Sequence, residues 1–133
     1  MFNVFDVVGS AMSAQSVRMN VTASNIANAE VSAPTPQTAY QARNPVFATI
    51  LDDQSRAYGG VQVMDIVDNQ APGPRRFEPT NPMADETGYV YLSNVNVLEE
   101  MVNMMSASRT YQNSIEVLNT SKELMVRTLS IGQ

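Results

Sequence analysis

Few residue types carry chemistry, and this chain is short of them. It has no histidine and no cysteine. That removes the usual nitrogen and sulfur ligands of zinc, the imidazole general base and any disulfide. Two adjacent acid pairs remain, Asp52-Asp53 and Glu99-Glu100, of the kind that perform acid–base work or hold a hard cation. Asp52-Asp53 precedes a Gly59-Gly60 turn and reads as solvated surface. Glu99-Glu100 stands at the start of a helical pattern, where acids suit the positive end of the helix dipole. A Ser–Lys dyad would need Lys122, the only lysine, which falls on a helical stripe rather than in a cleft. Gly59-Gly60 is not followed by Lys-Ser or Lys-Thr, so it cradles no phosphate. Arg75-Arg76 is a lone basic pair in a chain of formal net charge −5, a balance that argues against nucleic acid. No catalytic constellation, metal site, cofactor or small-molecule substrate is expected.

The elements that would position such residues are more informative. All seven prolines lie between Pro34 and Pro82. Proline breaks helix interiors, so the chain divides into two proline-free ends and a punctuated centre. Residues 1–29 and 96–133 are expected to form the helices of one core, with residues 30–95 as an excursion between them.

At the N-terminal end Phe5, Val8, Met12, Gln15, Met19, Thr22 and Ile26 keep an alternating 3–4 spacing. Asn3 is placed to cap this helix, Asp6 to sit in its first turn and Phe2 to staple onto Val7. Gly9-Ser10 reads as a weak point, and Asn28 as the end. At the C-terminal end the same spacing runs through Val97, Met101, Met104, Ser108, Tyr111, Ile115, Leu118, Lys122, Met125 and Leu129. Asn96 and Glu99 have the spacing of a capping box, Arg127 suits the far end of the dipole and Gly132 can stop the helix. A helix from Val97 to Ile131 is roughly 50 Å long, whereas a compact domain of 133 residues is about 36 Å across. An elongated molecule follows. In the centre, Val61-Gln62-Val63 and Tyr89-Val90-Tyr91-Leu92 read as short strands, Pro45 to Leu51 as ambiguous and Asn69 to Glu86 as loop. The expected fold is mainly α, an antiparallel, coiled-coil-like pair of long terminal helices with a Pro-rich, short-stranded excursion.

Further apolar residues flank both stripes: Leu98, Val102, Met105 and Leu124 at one end, Val4, Val17 and Val21 at the other. They broaden the apolar face beyond what a helix pair needs. Either they fold down onto the centre within one monomer, or each pair packs against neighbouring pairs. Nine methionines suit an adaptable interface and an ordinary core equally. A soluble helical adaptor or export chaperone is a further reading of the same pattern.

Specific motifs sharpen this. The segment Ser10-Ala11-Met12-Ser13-Ala14-Gln15, continuing to Ala23-Ser24-Asn25-Ile26-Ala27-Asn28, resembles the N-terminal signature of the bacterial flagellar axial proteins, the rod and hook family. Phe77-Glu78-Pro79-Thr80-Asn81-Pro82-Met83-Ala84-Asp85, then Gly88-Tyr89-Val90 and Asn94-Val95-Asn96-Val97, is similar to rod members of that family. So is Glu99-Glu100-Met101-Val102-Asn103-Met104-Met105 through Tyr111-Gln112. Met12 and Met19 stand where the family usually has leucine, a swap that preserves volume.

The resemblance implies a structural subunit of the proximal rod, a helical assembly whose inner tube is made of paired terminal helices and which serves as a drive shaft across the periplasm. It implies other rod proteins and further copies of this chain as partners. It also implies export by the flagellar type III apparatus, which fits an N-terminus, Met1 to Asp6, without the basic stretch and apolar core of a cleaved signal. The residues expected to form the assembly interface are Phe5, Val8, Met12, Met19, Ile26, Val97, Met101, Met104, Tyr111, Ile115, Leu118, Met125 and Leu129. Nucleic acid and membrane insertion are not expected.

Overall fold

The computed structural model describes residues 2–51 and 57–133. Two helices enclose two small antiparallel sheets. The order is α1 (Phe2–Ala27), β1 (Arg43–Leu51), β2 (Ala57–Asp68), β3 (Arg75–Phe77), β4 (Tyr89–Tyr91) and α2 (Val97–Ile131). The bounds of α2 follow from its ends. The Asn96 side chain accepts the Glu99 amide at 3.3 Å, and the Gly132 amide closes the last turn on the Thr128 carbonyl at 3.1 Å. Arg127 lies just short of that last turn, so the expected charge–dipole contact is not made there. Helix α1 begins one residue before Asn3, which places Asn3 inside the helix, and Asp6 falls beyond the first turn. The Phe2 side chain, and with it the expected staple onto Val7, lies outside what is described, as does Asp52-Asp53.

The helices run antiparallel. Arg18 Nη2 donates to Asn103 Oδ1 at 3.3 Å, and one turn further along α1 Thr22 lines a cleft with Glu100. Counting back from Arg18 to Phe2, and forward equally from Asn103, reaches position 119. Residues 120–131 therefore extend past the start of α1, an overhang of about 18 Å.

The strands β1 and β2 are longer than the sequence suggests. They pair as a hairpin from Arg43↔Asp68 to Leu51↔Ala57, with register shifts between Val46 and Phe47 and between Thr49 and Leu51. The first shift leaves Met64 as the extra residue of a bulge. The second contains Gly59, at φ +87°, and Gly60, so the expected Gly59-Gly60 turn is instead an irregular stretch inside β2. The stretch is crowded from two sides. A Cβ on Gly60 would stand 2.9 Å from Ile50 Cδ1 on β1 and 3.2 Å from Ser10 Oγ on α1. Ser10 Oγ accepts the Val61 amide at 3.1 Å while donating to the Val7 carbonyl at 2.7 Å. The Gly9-Ser10 step, expected to weaken α1, is where the hairpin fastens.

The second sheet, β3 with β4, is extended by a bridge between Ala33 and Tyr91. Val90, fully buried, sits at its centre. The described core is small, being mostly alanine and valine with Leu92, and buried polar groups stand among it: Thr22, Asn25, Ser93 and Glu100.

Candidate assembly interface

The least exposed positions of α2 are Val97, Glu100, Asn103, Met104, Ala107, Ser108, Tyr111, Ser114, Leu118, Ser121 and Met125. Of the stripe read from sequence they include Val97, Met104, Ser108, Tyr111, Leu118 and Met125. Met101, Ile115, Lys122 and Leu129 are exposed instead, and Glu100, Ala107, Ser114 and Ser121 are enclosed beside them. The cause is steric. Helices approach most closely where side chains are small, and Ala107 is wholly buried against that approach. Glu100, expected only as a dipole partner, is 6% exposed and lines a cleft of about 260 Å³ with Arg18, Thr22, Arg43, Asn44 and Asn103.

On α1, Val8 is buried and Phe5, Met12, Met19 and Ile26 are half-buried. This helix is the more enclosed of the two because it has two partners, α2 on one side and the β1–β2 hairpin on the other. Ala14, Val21 and Asn25 are buried as well, although none lies on the predicted stripe.

The outer side of α2 is different. Leu98 (76% exposed), Met101, Val102 and Met105 (70%) form an apolar patch near its start, and Leu124, Val126, Leu129 and Ile131 (86%) leave the overhang uncovered. The chain exposes 9197 Å², whereas a compact protein of 14.5 kDa exposes roughly 6,900 Å². The hairpin adds Val46, Met64, Ile66 and Val67 to the exposed apolar surface.

The motifs that carry the resemblance prove to be hydrogen-bonded joints between the helices and the excursion. Asn25, 1% exposed, donates to the Arg43 carbonyl at 2.8 Å and accepts the Arg43 amide at 3.0 Å and the Tyr40 hydroxyl at 2.8 Å. Since that hydroxyl has one proton, Ser24, 3.2 Å from it, is the donor in their contact. Asn94 accepts the Ala42 amide at 2.6 Å and donates to the carbonyls of Asn69 (2.9 Å) and Ala71 (2.7 Å). Ser93 Oγ donates to the Ala29 carbonyl at 2.8 Å, tying the entry of α2 to the exit of α1.

The Phe77–Tyr91 segment folds around its own acids. Asp85 accepts the Thr87 hydroxyl at 2.7 Å, the Tyr89 amide at 3.0 Å and the Tyr91 hydroxyl at 2.9 Å. These bonds, the Thr87 hydroxyl foremost, hold its carboxyl down at about 2, and the same carboxylate raises the Tyr91 phenol above its ordinary value. Glu78 is lowered by Asn81 and then Arg76. The Tyr89 ring takes Phe77 edge-on at 5.2 Å between centroids and Arg75 over its face at 4.4 Å. None of these groups is arranged about a vacant reactive centre. No group of three acids that could hold a metal ion occurs among the described residues, nor any helix long and apolar enough to cross a membrane.

A long staggered helix pair, apolar on its outer side and braced by polar joints, defines a structural subunit made to pack against neighbours. The comparisons with known proteins give the particular kind. Residues 5–34 match the family described as flagella basal body rod protein, and residues 86–131 match the flagellar basal body rod FlgEFG protein C-terminal family. The whole chain is 51% identical to 98% of the flagellar basal-body rod protein FlgC of Escherichia coli O157:H7, and equally so to that of Salmonella typhimurium. The corresponding protein of Buchnera aphidicola subsp. Schizaphis graminum is 42% identical over the same share of each chain. The chain belongs to the flagellar basal-body rod protein family, and its role is that of a structural rod subunit.

Proposed function

We propose that this chain builds into the proximal part of the rod through the uncovered faces of its terminal helices, and that catalysis plays no part in its work. The observation that carries this reading is the apolar outer side and overhang of α2, left bare in a chain with about a third more surface than a compact protein of its mass. In this reading residues 1–29 and 96–133 act as one assembling unit, packed in coiled-coil fashion with other rod proteins and further copies of the chain, while residues 30–95 lie outward. Of the apolar stripes, Met101, Ile115 and Leu129 lie exposed and join Leu98, Val102 and Met105 in the contact. Phe5, Val8, Met12, Met19 and Ile26 with Val97, Met104, Tyr111, Leu118 and Met125 are buried or half-buried within the chain and serve assembly by fixing the helix pair behind that face. Contacts of this kind, repeated around an axis, form a helical shaft able to transmit torque across the periplasm. The subunit reaches that shaft through the flagellar type III export apparatus.

Hydrogen exchange of the purified chain, alone and in assembled rods, tests the reading. Amides of α2 from Leu98 onward, and of the overhang above all, are expected to gain protection on assembly. Equal protection in the free chain and in rods would show that these faces are not the contact surface.

A further inference from the structure

We propose that Met101 and Met105 are an oxidation-sensitive site whose conversion to the sulfoxide prevents the chain from assembling. The proposal rests on the reading that the outer side of α2 is an assembly face. The structure sorts the described methionines into two groups. Met12, Met19, Met104 and Met125 are half-buried, whereas Met64, Met83, Met101 and Met105 are exposed. Met101 and Met105 are one helical turn apart, flanked by Leu98 and Val102, so their thioethers lie within one uncovered apolar patch. Met104, next in sequence to Met105, belongs to the inward side of α2.

Exposure governs the attack of a hydroperoxide on a thioether. The sulfur lone pair displaces the peroxide oxygen–oxygen bond and a sulfur–oxygen bond forms. The sulfur is oxidised by two electrons, and hydrogen peroxide is reduced to water. The product is a polar, chiral side chain with a strong acceptor where an apolar one stood. Buried against a neighbour without a donor, that oxygen opposes the contact the thioether favoured. Once assembled, the same sulfurs are covered, so the site is sensitive before incorporation and shielded after it.

Met64 supplies the internal control. It is 69% exposed, close to Met105, but it stands in the hairpin bulge rather than on α2. The test treats the free full-length chain with dilute hydrogen peroxide, maps sulfoxides by peptide mass spectrometry and measures incorporation into rods. Met64, Met101 and Met105 are expected to oxidise several-fold faster than Met12, Met19 and Met104, with incorporation lost in step. Whatever its own level of incorporation, the Met101→Leu/Met105→Leu variant is expected to lose none of it after peroxide, whereas Met64→Leu is expected to remain as sensitive as the unsubstituted chain. If the double variant assembles but loses incorporation after peroxide as the original does, the proposal fails while the assembly face stands. If the oxidised original chain assembles undiminished, the proposal fails as well.

Discussion

The uncovered patch on α2 allows one perturbation to separate an assembly face from a monomer core. Replacing both Leu98 and Met105 with glutamine keeps strong helix formers in the helix, so local propensity changes little. Leu98 is 76% and Met105 70% exposed, so only about a quarter to a third of each side chain is already withdrawn from water. Full burial of such a side chain contributes about 1.5–3 kcal/mol. The covered part is then worth less than about 1 kcal/mol at each site, and the double variant should unfold within roughly 4–8 °C of the original. The uncovered part is what a neighbour would remove from water, about 1–2 kcal/mol per residue. The double variant therefore forfeits about 2–4 kcal/mol per contact, roughly a 30- to 700-fold weakening. Thermal unfolding followed by circular dichroism reads the first quantity. Incorporation into rods, and swimming of a strain carrying only the variant, reads the second. A stability loss well above 2 kcal/mol with assembly intact would refute the reasoning, because it would place both residues in a monomer core.

Other perturbations address the joints. Asn25→Ala removes the partner of both main-chain groups of Arg43 and of the Tyr40 hydroxyl at a fully enclosed site, so a loss of about 2–4 kcal/mol is expected in urea unfolding. At Gly73 a Cβ would overlap the Leu92 carbonyl oxygen and the Ser93 main chain, neither of which is a flexible side-chain end. Gly73→Ala should therefore cost about 1–3 kcal/mol in the same measurement. Asp85 has its carboxyl depressed from 3.8 to about 2 in the folded chain, so its contribution is fully present above pH 3.8 and lost as pH falls towards 2. Urea midpoints across that window should fall less steeply for Asp85→Asn than for the original chain.

Much of the architecture is legible in the residues, for reasons that also mark where reading stops. Helix α2 declares itself because nothing in 35 residues contradicts it: no proline, an unbroken 3–4 spacing, and Asn96 and Gly132 at its ends. Its inward side does not, since the eye for large apolar residues selects Met101 and Ile115 where packing selects Ala107 and Ser114. The hairpin is harder still. A strand through Pro45 looks ambiguous, and the two register shifts near Met64 and Gly59 hide the pairing from any simple alternation. The joints at Asn25, Asn94 and Asp85 are visible only through the motifs that contain them. Asparagine in a loop or on a helix ordinarily means solvent or a local turn, and nothing in the spacing of Asn25 and Asn94 announces partners from 15 to 52 positions away. Ser10 escapes for the same reason, its role being supplied by a strand 51 positions on.

The stagger of the two helices has a geometric consequence. One end of the pair is flush, where Ser93 holds the exit of α1, and the other carries the bare end of α2. Such a body has a head and a tail. Were copies to meet end to end, the contact would join two unlike surfaces, tail to head, and not a surface to itself.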